Sequence, residues 1–507
     1  MPTNPLQQRL AALSPQLLAQ VRRGIEKESL RVRPDGRLAM TPHPAALGSP
    51  LTHPHITTDF SESQLELITG VHPGVEDCLA ELERIHQFVY RHIGDEILWC
   101  ASMPCNLPAD NQIPIGRYGT SNVGRAKTVY RLGLALRYGR RMQAISGIHY
   151  NWSLPGVTDA QYFALIRNFR RHSWLPIYLF GASPAACSSF VEGRKHELVE
   201  LSPGTMYAPH ATSLRMGPLG YQSDAQSALR VSYNDLKSYA ASLDDALTKP
   251  YPAYAKAGIR DNDNYRQLST SLLQIENEFY GSIRPKRRFN SGERALHALR
   301  ERGVEYVEVR LMDLDPFCPI GIWPATCRFL DLFLLHCLLA DSPPDTPQEI
   351  AAIRRNQQRV ALRGREPGLK LQKDSDELEL VQWGGQILSE CAPVAEALDR
   401  AQGGGSAHRD ALAAALQALR TSDTVPSAKV LQAMAREHRS SFVRFALAES
   451  TLHKASLKGL ELPREAIERF TGLADWSLER QREIEAADKV PFEAWRQKYL
   501  SHDTLVV

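Results

Sequence analysis

No property of this 507-residue chain is in marked excess, and what it lacks narrows the field first. No apolar run approaches the roughly 20 residues that span a bilayer. The opening MPTNPLQQRLAAL has no basic segment followed by an apolar core, as a signal peptide requires. Formal net charge is only +3, so no strongly basic or acidic balance points to nucleic acid or a membrane surface. The eight cysteines are scattered, with no Cys-x-x-Cys pair and no zinc spacing, and read as reduced, buried thiols of a cytoplasmic protein. A phosphate-cradling loop is missing too. YGTSNVGRAK (118–127) is the nearest glycine-containing stretch, and it has no Gly-Lys-Ser/Thr.

What remains is a soluble globular composition, 43% hydrophobic and 23% charged, in a chain too long for one simple core. Residues 5–23 predict a short helix. The segment 78–93 repeats its apolar residues with a helical period, and 125–145 predicts a basic helix. Further helices are expected over 159–180, 233–247 and 326–341. Strands are expected within 24–70 and over 148–154, 271–280 and 304–310. From about 342 onward the chain predicts a run of helices broken at QGGGSA (402–406), Pro426 and Pro463. The expected organisation is α+β: a mixed or antiparallel sheet region over 1–340, and a helical region over 341–507 packed on it as one compact unit.

Several of the predicted strands carry an acidic face. In VEYVEVR (304–310), Val307 and Val309 point one way while Tyr306, Glu308 and Arg310 point the other. In GIEKESLRV (24–32), Glu26 and Glu28 share a face about 6.6–7 Å apart if the segment is extended. Glu66 opposes Leu65 and Leu67, and Asp59 lies just upstream. His149, Asn151 and Ser153 form the polar face of IHYNWSL (148–154), and 271–280 brings together Gln274, Glu276, Glu278 and Tyr280. One such glutamate fits a solvated sheet face. A set of them repels itself, and partial burial adds to the cost. Cations resolve this, and oxygen ligands without cysteine favour magnesium or manganese, with His149 compatible with either. Magnesium at carboxylates suggests phosphate, and Arg131, Arg215, Arg284, Lys286, Arg287 and Arg310 are candidates to bind it. Arg310, in register beside Glu308, is placed to neutralise charge during phosphoryl transfer.

The motifs GIEKESLRV, LTHPHITTDFSESQLELIT, SMPC, YGTSNVGRAKTVYR, ISGIHYN, LFGASPAACSSF, LQIENEFY, IRPKR and EYVEVR occur in one order over residues 20–340. With them the chain resembles the proteobacterial type of glutamate–cysteine ligase. That resemblance implies a curved sheet similar to that of glutamine synthetase, shaped into a funnel with helices outside. It implies ATP as co-substrate, which phosphorylates the γ-carboxylate of glutamate before the cysteine amine attacks, in the first step of glutathione biosynthesis. It places metal ligands at Glu26, Glu28, Asp59, Glu66, His149 and Glu308, and phosphate-facing arginines at Arg131 and Arg310. The acceptor pocket falls on Phe60, Tyr130, Leu134, Gln143, Arg215, Tyr221 and Tyr280. Glutathione is implied as a feedback inhibitor, and neither nucleic acid nor membrane as a partner. Cys318 is expected to be buried and inert. Three other readings stay open on the residues alone: a ligase of the same fold with another amine acceptor, a two-metal phosphohydrolase, and a non-catalytic binding protein.

Overall fold

Alternation of side chains decides the two faces of the central sheet. The computed structural model describes residues 5–220, 224–227 and 229–505. Its largest sheet has seven strands, each pairing antiparallel. The spatial order is Ile283–Lys286, Tyr306–Met312, Ile148–Ser153, Arg22–Val32, Gln64–Ile68 and Ile56–Thr58, with Ile97–Leu98 pairing the far end of Arg22–Val32. One face carries Ile25, Leu65, Leu67, Tyr150, Trp152, Val307 and Val309, all fully buried. Helices Val75–His92, Asp159–His172 and Pro324–Leu339 contribute to the same hydrophobic cluster. Burying side chains of this size stabilises by roughly 1.5–3 kcal/mol apiece.

Two cations are buried on that face as well. Arg23 Nε donates to Asp331 (3.0 Å), which also accepts from the Tyr150 hydroxyl (2.8 Å). Lys27 Nζ lies 2.8 Å from His86 Nε2, and burial pulls its pKa down to about 8.

Most expected elements are present, with corrections that have local causes. Residues 5–23 form two short helices, Pro5–Ala11 and Pro15–Leu18, and the first strand has already begun at Arg22. Pro15 disfavours a helical conformation at Ser14, whose side chain instead caps the second helix by accepting from Leu17 N–H. The basic helix is Asn122–Tyr138, interrupted by Gly139 at φ +78° before Arg140–Gln143. The segment 271–280 is not a strand. Glu276–Glu278 is a single tight turn, and Glu278 folds back so that its Oε2 accepts from Gln274 N–H (2.8 Å). Ile283–Lys286 is an unexpected strand, and it tolerates Pro285 because it lies at the sheet edge.

The region beyond 341 is mainly helical, with one hairpin, Lys370–Lys373 and Asp376–Glu379. A three-stranded antiparallel sheet, Ala185–Cys187, Thr205–Tyr207 and Val199–Ser202, was not anticipated either, nor were the short hairpin Arg260–Asp261 and Asn264–Tyr265 and the strand Ile97–Leu98. The architecture is thus helices with antiparallel sheets, without a closed barrel among the described residues. One hydrophobic cluster includes Ile25, Val307, Leu335, Leu412 and Phe470, so apolar packing joins the sheet to the later helices. All eight cysteines are buried and free, Cys318 included. Among the described residues no helix is long and apolar enough to cross a membrane.

Helix Arg464–Ala487 docks on the loop at 48–52. Ser49 N–H donates to Ser477 Oγ (2.8 Å), and Thr52 Oγ1 donates to the Ser477 carbonyl (2.6 Å). Gly48 permits this approach, with φ +80° and room for no Cβ: one built there would lie 2.8 Å from Ala474 Cα and closer still to Ser477 Oγ. Gly48→Ala is expected to cost about 1–2 kcal/mol, by strain and a forced shift of the helix. A midpoint of thermal unfolding unchanged from that of the parent would refute this account of the docking.

Candidate active site

Residues directly opposed on antiparallel strands share a face, so register carries the alternation across the sheet. Glu26 faces His149, Glu28 faces Glu66, and Glu308 faces Asn151 on one side and Arg284 on the other. Five strands therefore bring carboxylates or their polar partners to one surface, opposite the apolar face. The pairing of Tyr306–Met312 with Ile148–Ser153 slips between Val309 and Met312. Arg310 and Leu311 there stand against the single residue His149, and a bulge of this kind bends the strand and re-aims its side chains. Arg310 NH1 donates to Glu308 Oε2 (2.8 Å), and Lys286 Nζ lies 3.1 Å from Glu308 Oε1.

The acidic groups differ sharply in their electrostatics. Burial and the Asp59 charge push the Glu28 carboxyl up to about 8, although Arg215, Arg310 and the Gly147 N–H pull the other way. Burial, reinforced by Glu26, Asp59 and Glu28, raises Glu66 well above the usual carboxylate range. At Glu308 burial is outweighed by Lys286 and Arg310, which hold it well below that range. At Glu26 burial and Glu308 are outweighed by His149 and Lys286, and the net shift is downward. Burial and Arg310 lower His149. Glu26 and Glu308 are thus charge-compensated by neighbouring cationic groups, while burial and like charges oppose ionisation of Glu28 and Glu66.

A carboxylate oxygen of Glu26, one of Glu308 and a ring nitrogen of His149 lie within 4.8 Å of one another. The Asn151 amide donates to Glu26 Oε1 (3.0 Å), while its own buried oxygen has no partner. Carboxylate and imidazole donors with a spare amide oxygen suit a hard divalent cation.

These groups line a cavity of about 600 Å³. Its walls include Glu26, Glu28, Asp59, Phe60, Glu66, Tyr130, Arg131, Leu134, Gln143, His149, Tyr280, Glu308 and Arg310. The Gln143 amide donates to the Tyr280 hydroxyl (2.7 Å). Arg284 and Lys286 also reach this cavity, whereas Arg287 binds the Gly303 carbonyl (2.9 Å) away from it.

Two of the acceptor-pocket residues depart from that set. Arg215 is buried with NH2 donating to the Arg310 carbonyl (2.8 Å), and it lines a second cavity of about 500 Å³. Tyr280 and Arg310 line both cavities. Tyr221 lies outside the described residues. The expected acidic row at 274–280 does not form either. Glu278 is buried against Arg137 (2.8 Å), and Glu276 reaches the cavity only while paired with Arg294 (3.0 Å).

Sequence reasoning passed over two contributions. Lys127 lines the cavity one helical turn before Arg131, and both sit over the Tyr118 ring, at 5.2 and 4.4 Å. Burial and Arg131 bring Lys127 down to about 8. The i, i+4 spacing of Lys127 and Arg131 was the available signal. The second contribution is a rim from the later helices: Trp476, Arg480 and Ile484 on Arg464–Ala487, and Trp495 and Tyr499 on Phe492–Leu500. Their i, i+4 spacing marks a helix face but not what that face meets.

Comparison with known proteins gives a consistent result. The profile of a family described as glutamate-cysteine ligase matches residues 7–360. A protein named glutamate–cysteine ligase from Pseudomonas fluorescens (strain Pf0-1) is 48% identical over 516 residues, covering 97% of this chain and 97% of the relative. One of the same name from Alcanivorax borkumensis is 45% identical over 525 residues, covering 98% and 99%. The crystal structure of glutamate–cysteine ligase from Francisella tularensis in complex with AMP superposes with a TM-score of 0.90 at 36% identity, covering 95% of this chain and 97% of that one. A bifunctional glutathione synthetase from Pasteurella multocida gives 0.71 at 25% identity, covering 92% of this chain and 57% of that one.

Proposed function

The chain belongs to the glutamate–cysteine ligase family, and from that premise we propose how its cavity performs the reaction. The protein is a carbon–nitrogen ligase that joins glutamate to cysteine with ATP as co-substrate, in the first step of glutathione synthesis. The single observation that carries the mechanism is the acidic surface of the sheet, with Arg310 standing on it beside Glu308, lining one cavity together with Lys127 and Arg131 of the helix Asn122–Tyr138. Carboxylates alone would suit a phosphohydrolase. Fixed cations beside an apolar wall of Phe60, Tyr130 and Leu134 suit phosphoryl transfer followed by capture of a small amine.

In our reading the γ-carboxylate oxygen of glutamate attacks the terminal phosphorus of ATP, and ADP leaves. Arg310 and Arg131 hold the transferring group and neutralise the charge that builds on it. The cysteine amine then attacks the acyl carbon, phosphate leaves, and the nitrogen loses its proton. Glu26, Glu28, Asp59, Glu66, His149 and Glu308 would hold magnesium, which when bound screens phosphate charge and orients the in-line displacement. Arg215, behind Tyr280, would take the acceptor's carboxylate from the side of the second cavity. The same reading carries the curved, funnel-shaped sheet, with 1–340 as catalytic region and 341–507 as a helical region packed on it. Glutathione contains both substrate residues, which supports it as a feedback inhibitor of this cavity. A cytoplasmic location accords with eight free, buried thiols.

Incubation with glutamate, cysteine and ATP, with products identified by mass, tests the reading. γ-Glutamylcysteine and ADP are expected in equal amounts, and cysteine is expected to outcompete alanine, 2-aminobutyrate and ammonia. Phosphate release without any amine acceptor would instead make the protein a phosphohydrolase.

Cation binding should also be linked to pH. The Glu28 carboxyl, pushed up to about 8, must give up its proton when a cation binds. Its folded pKa lies above the unfolded value, so the metal-free protein loses this contribution as pH rises toward 8, and a cation restores it. The rise in Tm produced by magnesium is therefore expected to be larger at pH 8.5 than at pH 6. A rise independent of pH would mean that Glu28 holds no proton in the free site.

A further inference from the structure

Lys127 and Arg131 stand one turn apart on the helix Asn122–Tyr138, and both line the active-site cavity. Like charges at this spacing repel each other. A carboxylate would relieve that repulsion, yet among the described residues neither side chain has one as an ion-pair partner. Arg131 donates instead to two backbone carbonyls, from Nε to Asp59 and from NH1 to Lys127 (3.0 Å). What the two cations share is the ring of Tyr118, whose centre lies 5.2 Å from Lys127 Nζ and 4.4 Å from Arg131 Cζ.

Tyr118 is itself fully buried and does not line the cavity. It is held at both ends. Its hydroxyl accepts from Thr58 Oγ1 (2.9 Å) and donates toward the carbonyls of Thr58 (2.7 Å) and Asp59 (2.8 Å). Its backbone carbonyl packs on Gly124 in the first turn of the cation-bearing helix, where an added Cβ would lie 2.2 Å away. Tyr118 thus ties the end of strand Ile56–Thr58 to that helix.

The kind of partner matters for phosphate. A carboxylate would hold these side chains and cancel their charge. A ring face attracts a cation through its quadrupole and leaves the charge whole, most effectively where water is excluded. Asp59 and Glu66 line the same cavity and are the competing partners, and the Arg131 charge is already felt at Glu66. A cation that turned to either carboxylate would be lost to an incoming phosphate.

We infer that Tyr118 is a positioning residue, whose ring keeps Lys127 and Arg131 apart from the acidic sheet, unneutralised and available to phosphate in the cavity. The inference rests on the ligase reading above and adds to it what sets two of its cations.

The test separates the ring from the hydroxyl. Tyr118→Phe keeps the ring and loses the bonds to Thr58 and Asp59. Tyr118→Leu and Tyr118→Met lose the ring, and methionine keeps more of its bulk should the leucine variant not fold. For each variant kcat, KM and Tm are measured, and binding of inorganic tripolyphosphate in magnesium is titrated. The phenylalanine variant is expected to keep kcat and tripolyphosphate affinity within about twofold of the parent, at a lower Tm. The leucine and methionine variants are expected to lose about tenfold or more in kcat and about fivefold in tripolyphosphate affinity, with KM for cysteine unchanged.

A phenylalanine variant that loses as much as the leucine variant, so that activity follows Tm, would make Tyr118 a structural tether and overturn the inference. Leucine and methionine variants that keep both kcat and affinity would overturn it as well. Failure of the parent to form ADP with glutamate and cysteine would instead overturn the ligase reading, on which the tripolyphosphate titration does not depend.

Discussion

Arg310→Ala is expected to lower turnover by about a thousandfold, the scale of a charge-stabilising arginine in phosphoryl transfer, while KM values for ATP, glutamate and cysteine stay nearly constant. The reasoning is that Arg310 meets most of its charge only as the transition state forms, so its loss falls on kcat. The ground state supports this. Arg310 is engaged with Glu308 at 2.8 Å, and Glu308 keeps a second partner in Lys286 at 3.1 Å. The variant should therefore fold. Arg310→Lys is the sharper experiment, since lysine keeps the charge and loses the planar fork. A drop of at least about tenfold, or 1.4 kcal/mol, is expected. Near-normal turnover in the lysine variant would reduce Arg310 to a source of general positive charge. A parallel rise in all KM values would place its role in binding.

Glu28→Gln is expected to cut turnover at least about a hundredfold, or 2.7 kcal/mol, and to weaken the apparent affinity for magnesium. It should do so without unfolding the protein. The glutamine amide oxygen can still accept from Gly147 N–H, a bond that Glu28 Oε2 makes at 2.8 Å. The substitution also puts a permanently neutral amide where burial and Asp59 already oppose ionisation of the Glu28 carboxyl. The metal-free variant should thus be as stable as the parent or more so, while activity collapses. A fall in metal-free Tm together with unchanged magnesium dependence would make Glu28 a structural residue and remove it from the ligand set.

The acidic face was legible because a strand repeats every two residues. Leu65 and Leu67 against Glu66, and Val307 and Val309 against Glu308, declare both the strand and its polar side. The same rule misled at 271–280, where Glu276 and Glu278 alternate by residue type but occupy a turn. Arg137, which neutralises Glu278, lies far away in sequence, and no local pattern shows the pairing. Pro285 hid an edge strand, and the bulge at Arg310 left no trace in VEYVEVR. Lys27 was the quieter surprise. Its place between two glutamates puts it on the core face, and an imidazole, His86, answers it at 2.8 Å. The rim was the least legible part, because a helix face shows its spacing and not its distant neighbour.

That rim also sets an order in time. The acidic strands end with Tyr306–Met312, whereas Trp476, Trp495 and Tyr499 lie more than one hundred and sixty residues later. At synthesis rates of about 5–20 residues per second, the growing chain spends on the order of ten to forty seconds with its carboxylates made and its cavity unroofed. Helix Arg464–Ala487 can close over the loop at 48–52 only after that interval, through Gly48, Ser49 and Thr52. A ribosome-bound chain that stops short of residue 476 therefore carries the phosphate-handling surface without the side chains that enclose it.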